Sequence, residues 1–318
     1  MTAKRVLVTG ATGFVGRRLI HLLVEKGYLV RALVRDRHGM QQACNIEFVE
    51  VPDLTLQEDW NEIVQDCYAV VHLAARVHMM HDNAPDSMEA YTRVNTTVTS
   101  KISIAAADAG VKRFIFLSSI KSCDVDEHEE YFHVDDHYAF SKAMAEKKLV
   151  EICENSDMEY VIIRPPLVYG PGVKANFKKL IEIVEKGVPL PFALIKNKRS
   201  FIGLGNLTAF ILHVLKHPAA SNRAYNISDD EDLSTPALIR KIAAKLGRNV
   251  TLFPLPENFL RFLCMIAGQG KACERLTGSL RVDWSGAKKE LGWYPAKDFD
   301  QELEETIRYY LKSKQAND

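Results

Sequence analysis

A chain of 318 residues that is 47% hydrophobic can bury a large core, and its length fits one large α/β unit with a smaller attached domain. Forty-one basic against 41 acidic residues leave no formal charge, which argues against nucleic acid as a partner and requires any anion site to be local. Six cysteines (Cys44, Cys67, Cys123, Cys153, Cys264, Cys273) without a C-x-x-C pair argue against a disulfide framework or zinc site and for thiols in a reducing cytoplasm.

Met1 to Lys4 shows no apolar targeting region, and Arg5 to Thr9 reads as a buried strand. That strand opens Val6-Leu-Val-Thr-Gly10-Ala-Thr-Gly13-Phe-Val-Gly16, which leads into an amphipathic helix from Arg17 to Lys26 and a strand from Leu29 to Val34. The G-x-x-G-x-x-G spacing differs from the commoner G-x-G-x-x-G, but its βαβ setting marks a dinucleotide-binding turn. Gly10 permits the strand-to-helix turn, Gly13 lets backbone approach a pyrophosphate, and Gly16 lets the helix pack closely on the sheet. The helix N-terminus then offers N–H groups and a positive dipole end to phosphates.

Further strands are predicted at Ile46 to Val51, Ala69 to Ala74, Phe114 to Ser118 and Tyr160 to Arg164, alternating with helices near Asp59 to Gln65, Met88 to Ala109 and Ala139 to Asn155. The alternation predicts a Rossmann-type, doubly wound parallel sheet. From Pro165 the regularity breaks: Pro165, Pro166, Pro171, Pro189 and Pro191 open a smaller α/β substrate lobe. The expected division is residues 1–165 with about 200–228 in the dinucleotide unit, and 166–199 with 229–318 in the lobe. Helices return at Asn176 to Lys186, Asn206 to Leu215, Thr235 to Leu246 and Asp300 to Lys312. The cluster Phe259-Leu-Arg-Phe-Leu-Cys-Met-Ile-Ala267 is too short to span a bilayer and reads as a buried helix; contact with a membrane is the alternative if the substrate carries a lipid.

Tyr138-Ala-Phe-Ser-Lys142 places a phenol and an ammonium one helical turn apart, on one face. A free phenol titrates near ~10, too high for an efficient base, but a neighbouring Lys⁺ and a cationic nicotinamide favour the phenolate. Ser119, at a strand end beside the expected cofactor crevice, can donate to the same substrate oxygen. Tyr-x-x-x-Lys arises by chance on many helices; its order after a dinucleotide turn and a Ser-Ser strand end gives it meaning here.

These residues resemble the extended short-chain dehydrogenase/reductases, the NAD-dependent epimerase/dehydratase family that acts on nucleotide sugars, over nearly the whole chain. The marks are Thr9-Gly-Ala-Thr-Gly-Phe-Val-Gly16, Asp53-Leu54, His72-Leu-Ala-Ala75, Asn95, Leu117-Ser-Ser119, Tyr138 with Lys142, Arg164-Pro-Pro-Leu-Val-Tyr-Gly-Pro-Gly172 and the tail Val282 to Trp293. The resemblance implies cofactor contacts from Gly10, Thr12, Gly13, Phe14, Val15, Gly16, Arg35, Asp53, Leu54, Leu73, Ala74, Ala75, Asn95, Tyr138, Lys142 and Pro165, and catalysis by Ser119, Tyr138 and Lys142. Ser119, Asn176, Arg199 and Arg275 would hold substrate, the two guanidinium groups closing on the diphosphate of a UDP-sugar. Relatives commonly pair through helices near Met88 to Ala109 and Ala139 to Asn155, so a homodimer is expected.

The implied reaction is NAD(P)-dependent hydride exchange at C4 of a UDP-hexose, with a UDP-N-acetylhexosamine or its 4-keto-6-deoxy derivative favoured, as in surface-polysaccharide sugar pathways. The alternatives are a UDP-glucose or UDP-N-acetylglucosamine 4-epimerase with retained NAD, a 4-epimerase of a polyprenyl-diphosphate-linked N-acetylhexosamine, and a dinucleotide-sensing protein without turnover. NAD-using relatives carry an acid where this chain has Val34, and Arg35 can meet a 2′-phosphate, so NADP(H) is favoured over NAD(H). Dehydratases follow the strand-end hydroxyl with Asp and Glu; here Ile120 and Lys121 stand there. Gly203-Leu-Gly205-Asn206 departs from the Val and Asp that relatives carry before a helix. No metal is expected: His128, His133 and His137 miss the H-E-x-x-H spacing, and His72, His78 and His81 lack an acidic partner. No G-x-S-x-G elbow supports a hydrolase.

Overall fold

The computed structural model describes residues 3–38, 44–77, 87–124 and 136–316. The chain divides into two compact units, the first comprising Met1–Pro165, Thr208–Asn226 and Ser285–Trp293, the second Pro166–Leu207, Ile227–Trp284 and Tyr294–Asp318.

The first unit is built on a seven-stranded sheet of β1 (Arg5–Thr9), β2 (Leu29–Val34), β3 (Ile46–Glu50), β4 (Ala69–His72), β5 (Arg113–Leu117), β6 (Glu159–Arg164) and β9 (Arg223–Asn226). Their order is β3-β2-β1-β4-β5-β6-β9, and every pairing is parallel. Parallel strands need crossovers, supplied by α1 (Phe14–Glu25), α2 (Asn61–Val64), α3 (Ser87–Tyr91), α4 (Val98–Asp108) and α5 (His137–Glu154). Because such a sheet is covered on both faces, its strands are apolar runs: Val6, Leu7, Val8, Val70, Val71, Phe114 and Phe116 are all buried. One core joins Leu7, Val70, Phe114 and Ile162 to Ile102 and Ala106 of α4 and Leu149 of α5. The strand order reverses between β1 and β4, and a ligand crevice belongs at the carboxyl ends beside that reversal.

Three local differences from the sequence reading have physical causes. Helix α1 starts at Phe14 rather than Arg17, because Gly13 is its N-cap and Gly16 lies in its first turn. Strand β4 stops at His72 rather than Ala74, because the Leu73 and Ala74 N–H groups turn onto Thr9 Oγ1, both at 3.1 Å. The helix expected over Met88 to Ala109 contains a π-helical stretch, Thr92–Thr97, between α3 and α4, which carries the buried Asn95. Such bulges concentrate at functional sites.

The second unit holds β7 (Leu167–Tyr169), β8 (Arg199–Gly203) and β10 (Asp232–Leu233) in the order β10-β8-β7, with β8 parallel to β7 and antiparallel to β10. Its helices include α6 (Ala175–Glu185), α8 (Thr235–Leu246), α9 (Glu257–Ile266), α10 (Gly270–Thr277) and α12 (Phe299–Gln315); α7 (Leu204–Val214) starts in this unit and α11 (Ser285–Leu291) belongs to the first. An aromatic cluster of Tyr169, Phe177, Phe201 and Phe299 forms its centre, with Tyr169 and Phe299 ring centroids 4.7 Å apart.

The boundaries differ from expectation at two places. Residues 200–207 pack in the second unit, and Ser285–Trp293 returns to the first, where Trp293 meets Phe210 edge-on at 4.9 Å. The Gly203-Leu-Gly205-Asn206 departure has a structural counterpart in Glu302 of α12, whose Oε1 accepts from Asn206 N at 3.1 Å in the first turn of α7. A Cβ at Gly203 or Gly205 would collide with this buried carboxylate. The glycines make room for a cap supplied from another helix.

Helix α9 corrects the expectation of a buried helix. Leu260 is buried and Cys264 half-buried, whereas Phe259, Phe262, Leu263, Met265 and Ile266 are exposed. At 100° per residue, Leu260 and Cys264 share the face turned to the core and the other five fall around the remaining arc. Among the described residues no helix is long and apolar enough to cross a membrane.

Candidate active site

The glycine turn is a close-packed backbone cradle. Gly10 has φ +65°, and a Cβ there would lie 2.9 Å from Ala74 N; a Cβ on Gly16 would collide with Gly10 O and Ala11. Gly13 is exposed and donates to Gly10 O at 2.9 Å, while Arg17 Nε pins Thr12 O at 2.8 Å. Helix α1 has no side-chain cap and no acidic residue in its first turn, so its leading N–H groups suit a pyrophosphate. Phe14 and Val15 lead off that helix, and Leu73, Ala74 and Ala75 follow β4. These features fit a dinucleotide.

A brace that the sequence reading missed ties the two strand ends together. Thr9 Oγ1 accepts from the Leu73 and Ala74 N–H groups and lies 2.8 Å from His72 Nδ1. With both lone pairs taken, the Thr9 hydroxyl donates to Nδ1, leaving the His72 proton on Nε2. His72 stacks on Phe116, and burial, with the Lys142 charge adding, pulls its pKa down to about 3. His72 is therefore a neutral strut.

Ser119 follows β5, and Tyr138 and Lys142 lie on α5. Asp136 caps that helix, its Oδ1 accepting from Ala139 N at 3.1 Å, and its carboxylate also pairs with Lys121. The Tyr138 hydroxyl is hydrogen-bonded to Ser119, which favours the phenolate, but burial dominates and pushes the phenol up to about 12. Lys142 is fully buried, donates from Nζ to Leu117 O at 2.8 Å and sits over the Phe116 ring. Burial pulls it down to about 7 against the opposing pull of Glu146. An ammonium that titrates near 7 is neutral where the phenol ionises, so within the protein alone Lys142 does not lower Tyr138 as the spacing suggested.

Glu146, one turn beyond Lys142, is a second group that sequence reasoning missed. Its Oε1 accepts from Ser118 Oγ and lies 2.6 Å from Ser122 Oγ, which is also 2.7 Å from Ser119 O; Arg164 of β6 clamps the carboxylate through Nε at 3.0 Å and Nη2. The four-residue continuation from Tyr138 through Lys142 was the available signal. Pro165 closes the same strand ends, its carbonyl accepting from Ile120 N at 3.0 Å.

Asn95, expected as a cofactor contact, has its side chain engaged within the protein. Its amide oxygen accepts from Arg76 N at 2.8 Å, and its nitrogen donates to Arg76 O and Ser141 Oγ, so the fully buried side chain is used within the protein. Arg35 is exposed beyond β2, and Val34 is buried at the position of the acid. Asp36 is engaged in its own turn, accepting from His38 N at 2.7 Å. Asp53 is exposed, its carboxyl held low first by hydrogen bonds from Thr55 and then by Arg93 and Arg35; Leu54 beside it packs on the core.

Within the second unit, the structure brings Arg199 and Arg275 together. Burial and then the Arg275 charge disfavour the Arg199 cation, whose Nη1 donates to Gly278 O at 3.1 Å. Asn176 is exposed in the first turn of α6, and Phe177 beside it belongs to the core. His78, His81, His128 and His133 lie outside the described residues; among the described residues no group of three His, Cys, Asp or Glu can hold a metal.

Known proteins extend these observations. The profile of the NAD dependent epimerase/dehydratase family matches residues 6–228. A UDP-glucose 4-epimerase of Vibrio cholerae is 39% identical over 320 residues, covering 98% of this chain and 96% of that protein. The fold is shared with a UDP-glucose 4-epimerase of Thermotoga maritima solved with UDP-glucose (20% identity, TM-score 0.76, 97% of this chain and 99% of that one). It is shared equally with a UDP-glucuronic acid 4-epimerase of Bacillus cereus in complex with NAD (20% identity, TM-score 0.75, the same coverage). A glycine cradle at the strand reversal, a Ser–Tyr–Lys constellation at the neighbouring strand end and a relative matched end to end agree: this chain belongs to the NAD-dependent epimerase/dehydratase family of extended short-chain dehydrogenase/reductases.

Proposed function

We propose that this protein is a 4-epimerase of a UDP-hexose. The observation that carries the reading is the Tyr138 hydroxyl hydrogen-bonded to Ser119 with Lys142 buried on the same helix. A dinucleotide held on the Gly10–Gly16 cradle would supply a hydride acceptor and donor for C4. With its phenolate favoured by the positive charge of an oxidised nicotinamide, Tyr138 would take the O4 proton and later return it, and Ser119 donates to O4 so that charge developing there is stabilised. Lys142 uses one N–H on Leu117 O and would offer what remains to the cofactor ribose. Arg199 and Arg275 hold the substrate diphosphate, and their mutual repulsion is relieved by that anion. Ile120 is buried and Lys121 is paired to Asp136, so neither supplies the acid and base that dehydration needs. The relative from Vibrio cholerae favours epimerisation, with UDP-glucose and UDP-N-acetylglucosamine as the substrates to test.

Arg35, with Val34 in place of an acid, favours a second reading: NADP(H) as cofactor and reduction of a 4-keto-6-deoxy UDP-sugar by exchangeable NADPH. One set of incubations separates the two. Interconversion of either UDP-hexose without added cofactor supports the epimerase. Consumption of NADPH with the 4-keto sugar, and none of that interconversion, replaces it with the reductase. Mass spectrometry of the co-purifying dinucleotide tests the NADP(H) preference, which fails if only NAD is found and Arg35→Ala leaves affinity for both dinucleotides unchanged. A homodimer through α4 and α5, and a cytoplasmic location consistent with free thiols, complete the reading.

A further inference from the structure

The tight turn between α9 and α10 carries a cysteine on each side, and the proposed chemistry uses neither. Gly268, at φ +66°, makes the turn. Gln269, the N-cap of α10, is tied to both cysteines through the backbone: its N–H donates to Cys264 O at 2.7 Å, and its carbonyl accepts from Cys273 N at 3.0 Å. Both side chains turn into the core of the second unit, where the two thiols are hydrogen-bonded to each other. From such contact a small side-chain adjustment reaches a disulfide.

Their surroundings divide the roles. Cys264 is half-buried and within reach of a small oxidant, whereas Cys273 is 4% exposed, and burial, then the bond to Cys264, pushes its thiol up to about 11. With a peroxide as oxidant, the Cys264 sulfur attacks one peroxide oxygen, the O–O bond breaks, and the departing hydroxide takes the thiol proton as water, leaving a sulfenic acid. The Cys273 sulfur then attacks the Cys264 sulfur, the S–O bond breaks, and a second water departs with the Cys273 proton. Two thiols and one peroxide thus give one disulfide and two waters; a small-molecule disulfide does the same by exchange and leaves as two thiols. In a reducing compartment the resting state is the dithiol, and a bond of this kind is transient.

The bond would bear on α10, which carries Arg275 just beyond Cys273. The far end of α10 is already fastened: Asn197 Nδ2 donates to Leu276 O at 3.3 Å and to Gly278 O at 3.0 Å, and Arg199 Nη1 donates to Gly278 O at 3.1 Å. Fastening the leading end as well lowers the cost of ordering Arg275 opposite Arg199, a consequence that rests on the reading of those arginines as a diphosphate site. We propose that Cys264 and Cys273 form a reversible redox site whose disulfide, made by a peroxide or a small-molecule disulfide, locks α10 to α9 and tightens the hold on a substrate diphosphate.

The test treats the reduced full-length protein with hydrogen peroxide and, separately, with glutathione disulfide, alkylates the remaining thiols under denaturing conditions, and maps the products by mass spectrometry. A Cys264–Cys273 link that dithiothreitol reverses is expected from both, with the exposed Cys44 and Cys123 alkylated or carrying adducts of their own. Cys264→Ser should abolish the link and leave Cys273 alkylated. Oxidised wild type should bind UDP about two- to tenfold more tightly than the reduced protein, and Cys264→Ser should show no such difference. Recovery of Cys264 and Cys273 as separate alkylated, glutathionylated or over-oxidised residues overturns the proposal, as does a link of either to a second copy. A link that leaves UDP affinity unchanged overturns the coupling to the diphosphate site. Arg275→Ala in the reduced protein then tells which premise failed: weakened UDP binding keeps the diphosphate reading, and unaltered binding removes it.

Discussion

Proton transfer at this site depends on how deeply two side chains are buried. Tyr138 is raised by burial and Lys142 lowered by it, so each is poised toward its neutral form. Tyr138→Phe removes only the proton-carrying oxygen and is expected to reduce turnover by about 10²- to 10⁴-fold while dinucleotide affinity is retained, as measured by steady-state kinetics and titration. Glu146 is the carboxylate that supports charge on Lys142, within a network of Ser118, Ser122 and Arg164. Glu146→Gln should therefore pull Lys142 further below about 7, moving the alkaline limb of the rate profile to lower pH, and Glu146→Asp should restore part of the shift. A uniform loss of activity at every pH, with no displaced limb, would reduce Glu146 to packing alone.

At the scale of elements, the dinucleotide turn and the start of α7 both depend on glycines that let another group come close. Gly16→Ala would press Cβ into the Gly10 carbonyl and the Ala11 backbone, neither of which can swing aside, so it should cost about 1–3 kcal/mol and weaken dinucleotide binding. Gly13 has φ −71°, and a Cβ there would lie 3.0 Å from Gly10 O, tighter than an ordinary contact but looser than at Gly16, so Gly13→Ala should cost less stability than Gly16→Ala and lose affinity for the dinucleotide through lost close approach. Thermal melting with and without dinucleotide ranks the two. At α7, Glu302→Ala removes the acceptor for Asn206 N and should cost roughly 1–3 kcal/mol in denaturant unfolding, because a buried donor is left unpaired. The same substitution should leave dinucleotide affinity intact, since its contacts belong to the second unit.

For the molecule as a whole, His72 links stability to acid. Its pKa is about 3 when folded against an ordinary 6.5, so between these values the unfolded chain binds a proton that the folded chain refuses. Stability is complete above 6.5, falls as pH drops through that value, and loses nothing further from this group below about 3; the total is on the order of several kcal/mol. His72→Gln should flatten the dependence of unfolding free energy on pH across that window by about one proton. An unchanged slope would place the acid sensitivity elsewhere.

The amino-acid sequence by itself determined the parallel αβ alternation, the glycine turn and the Tyr138–Lys142 pair, because each is written in short-range spacing: period two, period 3.6, or glycines three apart. Even the ends of the strands β1 and β2 were readable to the residue, since an apolar run stops where the strand does. Tertiary structure alone decided the brace of Thr9 on His72 across 63 positions and the capping of Asn206 by Glu302 across 96. It also decided that Asn95 faces inward on a π-helical stretch, and that Lys142 lies so deep that burial works against its charge. Spacing shows which residues share a face. Which face is covered, as α9 demonstrates with its five exposed apolar side chains, depends on what the rest of the chain brings against it, and burial then sets the charge states on which the chemistry rests.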